Sequence, residues 1–202
     1  MQNNTPRSFR RVAVYCASST VIPARYFDAA RSVGALLARR GVGIVCGGGR
    51  VGLMGALADA ALAEGGEVVG VIPQKLYDLE VGHRGLSELF VVDSMRARKS
   101  MMAALADAFV ALPGGWGTLE ELFEVATMTQ LNYHDKPVGI LNVGGYFDAL
   151  LAFLARAADE GFVRPVHQTL IQVDEDMEGL LDKLSRVPLP RVADWAPKLP
   201  PS

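Results

Sequence analysis

At 202 residues, the chain is long enough to form one domain with a sizeable hydrophobic core. Half of its residues are hydrophobic and 21% are charged, as in an ordinary soluble globular protein. A net charge of -2 excludes the strongly basic surface that nucleic acid or an anionic membrane attracts. No apolar run approaches the roughly 18 residues of a membrane span, and residues 1–11 lack the apolar core of a signal peptide. We therefore predict a cytoplasmic protein with no nucleic-acid or membrane partner.

Short β-branched segments alternate with longer segments of helical periodicity along the chain. Strands are predicted at 11–16, 42–46, 67–72, 89–93, 108–113, 137–142 and 169–174. Helices are predicted at 24–41, with Gly41 as its C-terminal cap, and at 52–66, 94–107, 118–131, 146–160 and 175–186. An irregular polar stretch, 73–87, interrupts this alternation.

Strands that are apolar throughout, each followed by a helix, indicate a parallel sheet covered on both faces. The sequence thus predicts one Rossmann-like, doubly wound α/β domain over residues 1–186. A proline-rich tail, 187–202, is predicted to be extended or disordered. Ligands of such sheets bind beyond the carboxyl ends of the strands, where the strand order reverses. Cys16 and Cys46 end two of the strands without forming a CxxC pattern, so we predict two buried, reduced thiols.

A glycine-rich loop, GGGRVGLMG, follows the second predicted strand. Gly47, Gly49 and Gly52 match the pattern GxGxxG, so a dinucleotide site has to be weighed. The match is poor, because the motif does not follow the first strand and the third strand ends without an acid for a ribose. A tight turn explains one glycine but not three in a row. We favour a loop in which the backbone at Gly47 and Gly48 approaches a small anion or the edge of a substrate.

Three cations open the helix after the fourth strand, in the segment SMRARKSMM. Arg96, Arg98 and Lys99 fall in its first turn, where positive charge opposes the helix dipole. A solvated basic turn is one explanation. An anionic ligand in the crevice is the other, because helix amides and a guanidinium would then attract the same charge.

The segment PGGWGTLEE, which follows the fifth strand, combines three glycines with the start of a helix. Gly114, Gly115 and Gly117 let the backbone approach a ligand without an intervening Cβ, and the helix amides behind them form a candidate phosphate site. Thr118 and Glu121 also match a capping box, in which the glutamate merely closes the first turn of the helix. Both interpretations of Glu121 stay open at this point.

Together, PGGWGTLEE and MRARK resemble the motifs of the Lonely Guy family, the cytokinin riboside 5′-monophosphate phosphoribohydrolases that are often mislabelled as lysine decarboxylases. The resemblance extends over most of the chain, from VAVYCASS through GGGRVGLMG to GILNVGGYFDALLAFL. It implies a Rossmann-like fold and a homodimer with sites near the subunit interface. It also implies hydrolysis of the N-glycosidic bond of adenosine 5′-monophosphates, often prenylated on N6, to the free base and ribose 5-phosphate, with no metal or cofactor.

Residue by residue, the resemblance makes Glu121 and Arg98 the catalytic pair. We expect the Arg98 guanidinium to lower the pKa of Glu121 and keep it ionised, so that the carboxylate stabilises an oxocarbenium-like ribosyl cation or orients water. The chain departs from the family at Ala17, where relatives usually carry glycine. The positions predicted to bind the substrate are Ser18, Gly47, Gly48, Glu80, Lys99, Gly114, Gly115, Trp116, Gly117, Thr118 and Gln130.

Two other functions were weighed against this one. A non-catalytic carrier of a nucleotide or of molybdenum cofactor has the same architecture, but the presence of both Arg98 and Glu121 favours the enzyme. A dinucleotide-dependent oxidoreductase is a weaker alternative. For the expected dimer, Met101, Met102 and Met128 offer adaptable apolar contacts, unless they belong to the core of the single chain.

Overall fold

The structure, a computed structural model, describes residues 5–195. All seven predicted strands are present, with ends that differ from the predicted ones by at most two residues. The strands are Arg11–Tyr15 (β1), Gly43–Cys46 (β2), Val68–Pro73 (β3), Glu88–Val92 (β4), Ala108–Ala111 (β5), Val138–Leu141 (β6) and Ile171–Asp174 (β7).

Helices connect the strands as the periodicity predicts. They are Ala24–Arg39 (α1), Gly52–Ala63 (α2), Gln74–Leu76 (α3), Met95–Leu105 (α4), Trp116–Gln130 (α5), Asp148–Asp159 (α6), Met177–Arg186 (α7) and Val192–Trp195 (α8). Gly41 follows the end of α1 with a φ of 67°, the left-handed conformation of a glycine cap, as predicted. The stretch predicted to be irregular is partly helical, because α3 runs into a π-helical turn at Tyr77–Val81.

The seven strands form one parallel sheet in the order β4-β3-β2-β1-β5-β6-β7. Strands β1, β2, β3, β5 and β6 are buried, whereas the edge strands β4 and β7 are partly exposed. Helices α1, α2 and α7 pack on one face of the sheet. Helices α4, α5 and α6 pack on the other. The prediction of a Rossmann-like parallel sheet with helices on both faces is confirmed.

The strand order places a crevice at one position along the carboxyl edge of the sheet. The chain moves outward from β1 through β2 and β3 to β4, and then returns to the other side of β1 as β5. The loops after β1 and β5 therefore diverge to opposite faces of the sheet, which opens space between them. The segments that contain Ser18, GGGRVGLMG and PGGWGTLEE follow β1, β2 and β5, so the topology brings them to this crevice.

The first part of the proline-rich tail is packed against the domain rather than free. Val187 and Pro190 are buried. The Val187 carbonyl accepts a hydrogen bond of 2.7 Å from the guanidinium of Arg7, and the Pro190 carbonyl accepts one of 2.7 Å from the side-chain amide of Asn132. The helical turn α8 follows, so the prediction of an extended or disordered tail is wrong for residues 192–195. Residues 196–202 lie outside the described part of the chain.

Within residues 5–195, no helix combines the length and the apolar character needed to cross a membrane. The division of the chain into residues 1–186 and 187–202 stays a prediction. Cys16 and Cys46 are buried free thiols, as expected.

Candidate active site

A cleft of about 280 Å³ lies at the carboxyl ends of β1, β2 and β5. The loop after β1 contributes Ala17, Ser18 and Ser19, and the loop after β2 contributes Gly47. Helix α4 lines the opposite side, and the start of α5 closes the end beside β5. The cleft thus occupies the crevice that the reversal of strand order creates.

Arg98 reaches the cleft from α4 with its side chain only 11% exposed. Its Nε donates a hydrogen bond of 3.2 Å to the carbonyl oxygen of Val71, within β3. A Cβ on Gly47 would overlap its guanidinium, so the absence of a side chain at Gly47 makes room for the arginine. A buried guanidinium is costly without a negative partner. The alternative of a solvated basic turn therefore fails for Arg98, although it holds for Arg96, which is exposed.

Glu121 is the negative partner of Arg98. It lies on the second turn of α5 with its side chain 8% exposed, and its Oε1 is 3.7 Å from Nη2 of Arg98. This separation gives charge attraction without a hydrogen bond. Burial raises the pKa of Glu121 to about 7, although Arg98 acts to lower it. The expectation that Arg98 keeps the pKa of this carboxyl low is wrong, because desolvation outweighs an ion pair of this length.

The capping-box interpretation of Glu121 is wrong as well. Helix α5 begins at Trp116, two residues before the predicted start, and Gly115 is its N-cap. Thr118 is therefore the third residue of the helix and is buried, and the N-cap glycine has no side chain that could accept a hydrogen bond from the helix amides. A capping box pairs the N-cap residue with the third residue of the helix, whereas Glu121 is the sixth. Its burial beside Arg98 consequently needs a different explanation.

The glycines before α5 have two distinct roles. Gly114 is buried, and a Cβ there would overlap the side chain of Thr118, so this glycine is required for packing. Gly115 and Gly117 line the cleft, and a Cβ on either would meet open space. The first amides of α5 have no acceptor within the helix, and they add the positive end of the helix dipole to this wall of the cleft. Trp116 stands at the rim with 91% of its surface exposed.

The glycines of the loop after β2 also have two roles: one lines the cleft, and the others allow close packing of the backbone. Gly47 lines the cleft, but Gly48 does not. Gly48 has a φ of 72°, and a Cβ there would press against Ile72 and Leu89. Gly52 has a φ of 63° and lies against the backbone of Ser18, which holds the loops after β1 and β2 together.

Besides Gly48 and Gly114, two more of the predicted substrate-binding residues do not line this cleft. Lys99 extends from α4 to the side of α5. There its ammonium pairs with Glu120 and, at 3.1 Å, with Glu124. Gln130 lies at the far end of α5, where its amide contacts Nδ1 of His167 at 3.3 Å. Glu80 belongs to the π-helical turn. The binding roles of Lys99, Gln130 and Glu80 stay predictions.

Other residues that the sequence did not single out also line the cleft: Tyr15, Ser19, Met54 and Met95. Ser19 follows Ser18 in the segment CASST after β1. This run of hydroxyl side chains is the sequence feature that could have indicated Ser19. The other three are ordinary apolar or aromatic residues of a strand or helix, and periodicity assigns such residues to a core. Among residues 5–195, no group of three or more metal-ligating side chains is present.

These features define an α/β protein of the Rossmann-like class whose crevice contains a buried arginine–glutamate pair beside a glycine-rich helix start. Residues 54–184 match a family model described as "Possible lysine decarboxylase". The chain is 49% identical over 190 residues to the probable cytokinin riboside 5′-monophosphate phosphoribohydrolase LOGL5 of Oryza sativa subsp. japonica, which covers 94% of this chain and 77% of the relative. It is 42% identical over 195 residues to the cytokinin riboside 5′-monophosphate phosphoribohydrolase LOG2 of Arabidopsis thaliana, with 96% and 91% covered. The chain therefore belongs to this family, the Lonely Guy family.

The fold is also found in solved structures of low sequence identity. The molybdenum cofactor binding protein from the phototrophic bacterium Rippkaea orientalis superposes with a TM-score of 0.65 at 21% identity. The match covers 85% of this chain and 92% of that protein. At this identity, the similarity shows the shared fold alone.

Proposed function

We propose that the protein hydrolyses the N-glycosidic bond of adenosine 5′-monophosphate and its N6-substituted derivatives, releasing the free base and ribose 5-phosphate. Membership of the family supports the reaction class. The observation that carries the proposal is the buried pair of Arg98 and Glu121, held 3.7 Å apart on a cleft whose other wall presents unpaired helix amides. The cleft thus offers positive groups for a phosphate and a carboxylate for a sugar.

The 5′-phosphate would bind at the start of α5. The amides that follow Gly115 and the positive end of the helix dipole favour a dianion there. Arg98 is already desolvated, so its charge acts through a medium that screens it less than water does. Gly115 and Gly117 leave the space that a phosphate requires.

Glu121 would act on the ribose. Cleavage of a ribosyl–adenine bond passes through an oxocarbenium-like state, and a carboxylate beside the sugar stabilises the developing positive charge or orients the attacking water. A pKa of about 7 means that the ionised form predominates above neutrality. Its low exposure strengthens its electrostatic effect on a cation in the same cleft.

The description of the family model as a possible decarboxylase has no counterpart in this cleft. A lysine that forms a Schiff base must reach its cofactor with a free amine. No lysine lines the cleft as residues 5–195 form it, and the ammonium of Lys99 is engaged by Glu120 and Glu124. A carrier of nucleotides or of molybdenum cofactor remains the second candidate on grounds of fold, but binding alone does not require a buried carboxylate beside Arg98.

The experiment is a comparison of base release from three compounds: AMP, an N6-prenyl AMP and adenosine. We expect release from both monophosphates and much lower kcat/KM for adenosine. Glu121→Gln should lower turnover by at least about 10²-fold, the scale for losing one preorganised electrostatic group. Glu124→Gln is the matched control, because it changes a carboxylate on the same helix that pairs with Lys99 outside the cleft.

Two results would contradict the proposal. Tight binding of AMP without release of adenine would favour the carrier. A folded Glu121→Gln protein with turnover near that of the wild type would remove Glu121 from the chemistry.

We further propose that the protein is a cytoplasmic homodimer. The two buried free thiols suit a reducing compartment. Family resemblance motivates the dimer, but Met102 cannot contribute to its interface, because it lies on the inner face of α4 and is fully buried in the core. Met101 is packed against the same core, and Met128 is half-buried on α5.

A further inference from the structure

The segment 113–117, which comprises the end of the loop after β5 and the first two residues of α5, is held by few contacts. Three of its five residues are glycines, which restrain the backbone little. The Pro113 carbonyl accepts a hydrogen bond of 3.2 Å from the Ala17 amide. The Gly114 carbonyl accepts one of 2.8 Å from the hydroxyl of Tyr146. In the described part of the chain, the Tyr146 bond is the one side-chain hydrogen bond that this segment receives.

The Tyr146 bond fixes the direction of the next amide. The C=O and N–H groups of a trans peptide lie in one plane and point in opposite directions. The carbonyl of Gly114 and the N–H of Gly115 belong to the same peptide, so a hydroxyl that holds the carbonyl from one side turns the N–H to the other. Gly115 lines the cleft, and its N–H has no acceptor among residues 5–195.

Tyr146 is itself held firmly. Its ring meets the rings of Tyr26 and Phe147 edge to face, with centroids 5.6 and 4.9 Å away. The backbone N–H of Phe147 donates a hydrogen bond of 2.8 Å to the side-chain carbonyl of Asn142, which is buried at the end of β6. The Asn142 amide in turn donates one of 2.7 Å to Asp148 at the start of α6. A continuous set of contacts therefore connects the sheet to the Gly114 carbonyl.

We propose that Tyr146 is a positioning residue for phosphate binding: its hydroxyl holds the Gly114 carbonyl so that the Gly115 N–H points into the cleft toward the 5′-phosphate. This inference rests on the proposed function for the identity of the ligand. It gives a role to the segment NVGGYFD, which lies outside the cleft and contains none of the residues assigned to the chemistry. Tyr146 acts through the loop and does not itself line the cleft.

The test uses Tyr146→Phe, which keeps the aromatic contacts and removes the hydroxyl. Calorimetric titration with ribose 5-phosphate should give a Kd about tenfold higher than that of the wild type, the scale of one misdirected hydrogen bond to a charged group. The KM for AMP should rise similarly, while kcat changes less than about threefold, since the phosphate bond is equally present before and during the reaction. For adenosine, kcat/KM should not change.

The matched control is Tyr26→Phe, which removes a neighbouring hydroxyl that contacts Arg25 and not the loop. It should retain the ribose 5-phosphate affinity of the wild type. An unchanged affinity in Tyr146→Phe, or an equal loss in both variants, would overturn the inference. If Tyr146→Phe does not fold, wild-type protein labelled with 15N-glycine answers instead: a Gly115 amide resonance that does not move on titration with ribose 5-phosphate overturns it.

These readouts separate the two proposals. Wild-type protein that binds ribose 5-phosphate but does not hydrolyse AMP would refute the proposed function and leave the comparison of affinities as a test of Tyr146. Wild-type protein that binds neither ribose 5-phosphate nor inorganic phosphate would overturn both.

Discussion

Glu121 is a carboxyl group whose environment disfavours its charge. Its side chain is 8% exposed, and the nearest guanidinium nitrogen is 3.7 Å away, beyond hydrogen-bonding distance. The Nε of Arg98 is instead hydrogen-bonded to the Val71 carbonyl. The two motifs correctly predict that Arg98 and Glu121 lie close together. The predicted direction of the pKa shift of Glu121 is wrong, because the extent of burial is a property of the packed structure that no motif specifies.

This raised pKa predicts a pH dependence of stability. A glutamate with a pKa of 4.5 when unfolded and about 7 when folded binds more protons in the folded state between these values. The free energy of unfolding should therefore decrease, relative to that of Glu121→Gln, as the pH rises from about 4.5 to about 7, by roughly 3 kcal/mol at most. Outside this window the difference should be constant. Urea unfolding of both proteins from pH 4 to 8 measures it, and parallel pH profiles would contradict the prediction.

At the scale of elements, Gly47 after β2 and Gly117 at the start of α5 lie in opposite environments, one crowded and one open, and this predicts opposite effects of alanine. Gly47→Ala places a methyl group on the Arg98 guanidinium. We expect a loss of about 1–3 kcal/mol in the free energy of unfolding, as for other overpacked sites. The kcat/KM for AMP should fall at least tenfold, because the guanidinium is displaced.

Gly117→Ala is the contrasting variant, since a Cβ there meets no atom. Alanine in the first turn of α5 should stabilise the fold by up to about 1 kcal/mol. The KM for AMP should nevertheless rise, because the methyl group takes room in the cleft. Urea unfolding and steady-state kinetics of both variants provide the measurements. A Gly47→Ala protein as stable and active as the wild type would show that Arg98 does not need that space.

The elements themselves were largely predictable, and the exceptions have physical causes. Strand and helix positions follow from periodicity, which is a local property. The start of α5 was placed too late because glycines at 115 and 117 are typical of a loop, whereas the helix begins between them at Trp116. This two-residue error produced the false capping box, since Thr118 became the apparent N-cap.

At the scale of the whole molecule, the topology explains which of the predicted site residues meet in one cleft. Motifs after β1, β2 and β5 converge because parallel strands end at the same edge of the sheet. Gln130 does not join them within the chain, since it lies nine residues beyond Glu121 on α5, about 13 Å along the helix axis. Such residues can also reach a cleft from a second copy of the chain, which requires a surface suited to association.

The outer face of α5 and α6 has the character of an interface. Phe123 and Leu131 are exposed along α5 and at its end, and Phe162 is 82% exposed just after α6. Between the two helices lies a groove of about 470 Å³, mostly lined by apolar side chains. Exposed aromatic side chains beside an apolar groove are typical of a surface that binds a partner. Helix α5 carries both Glu121 and part of this groove, so one helix connects this face to the cleft.

We therefore predict a dimer through this face rather than through buried methionines. Light scattering at micromolar concentration should give twice the mass of one chain. Phe162→Asp should shift the protein toward the monomer, because it places a charge in the apolar contact. Val21→Asp is the control, since Val21 is 92% exposed in the loop before α1, away from the groove. A wild-type mass of one chain would exclude the dimer, and an intact dimer in Phe162→Asp would move the interface elsewhere. If Phe162→Asp is monomeric but still folded, its rate of adenine release tells whether one chain forms a complete active site.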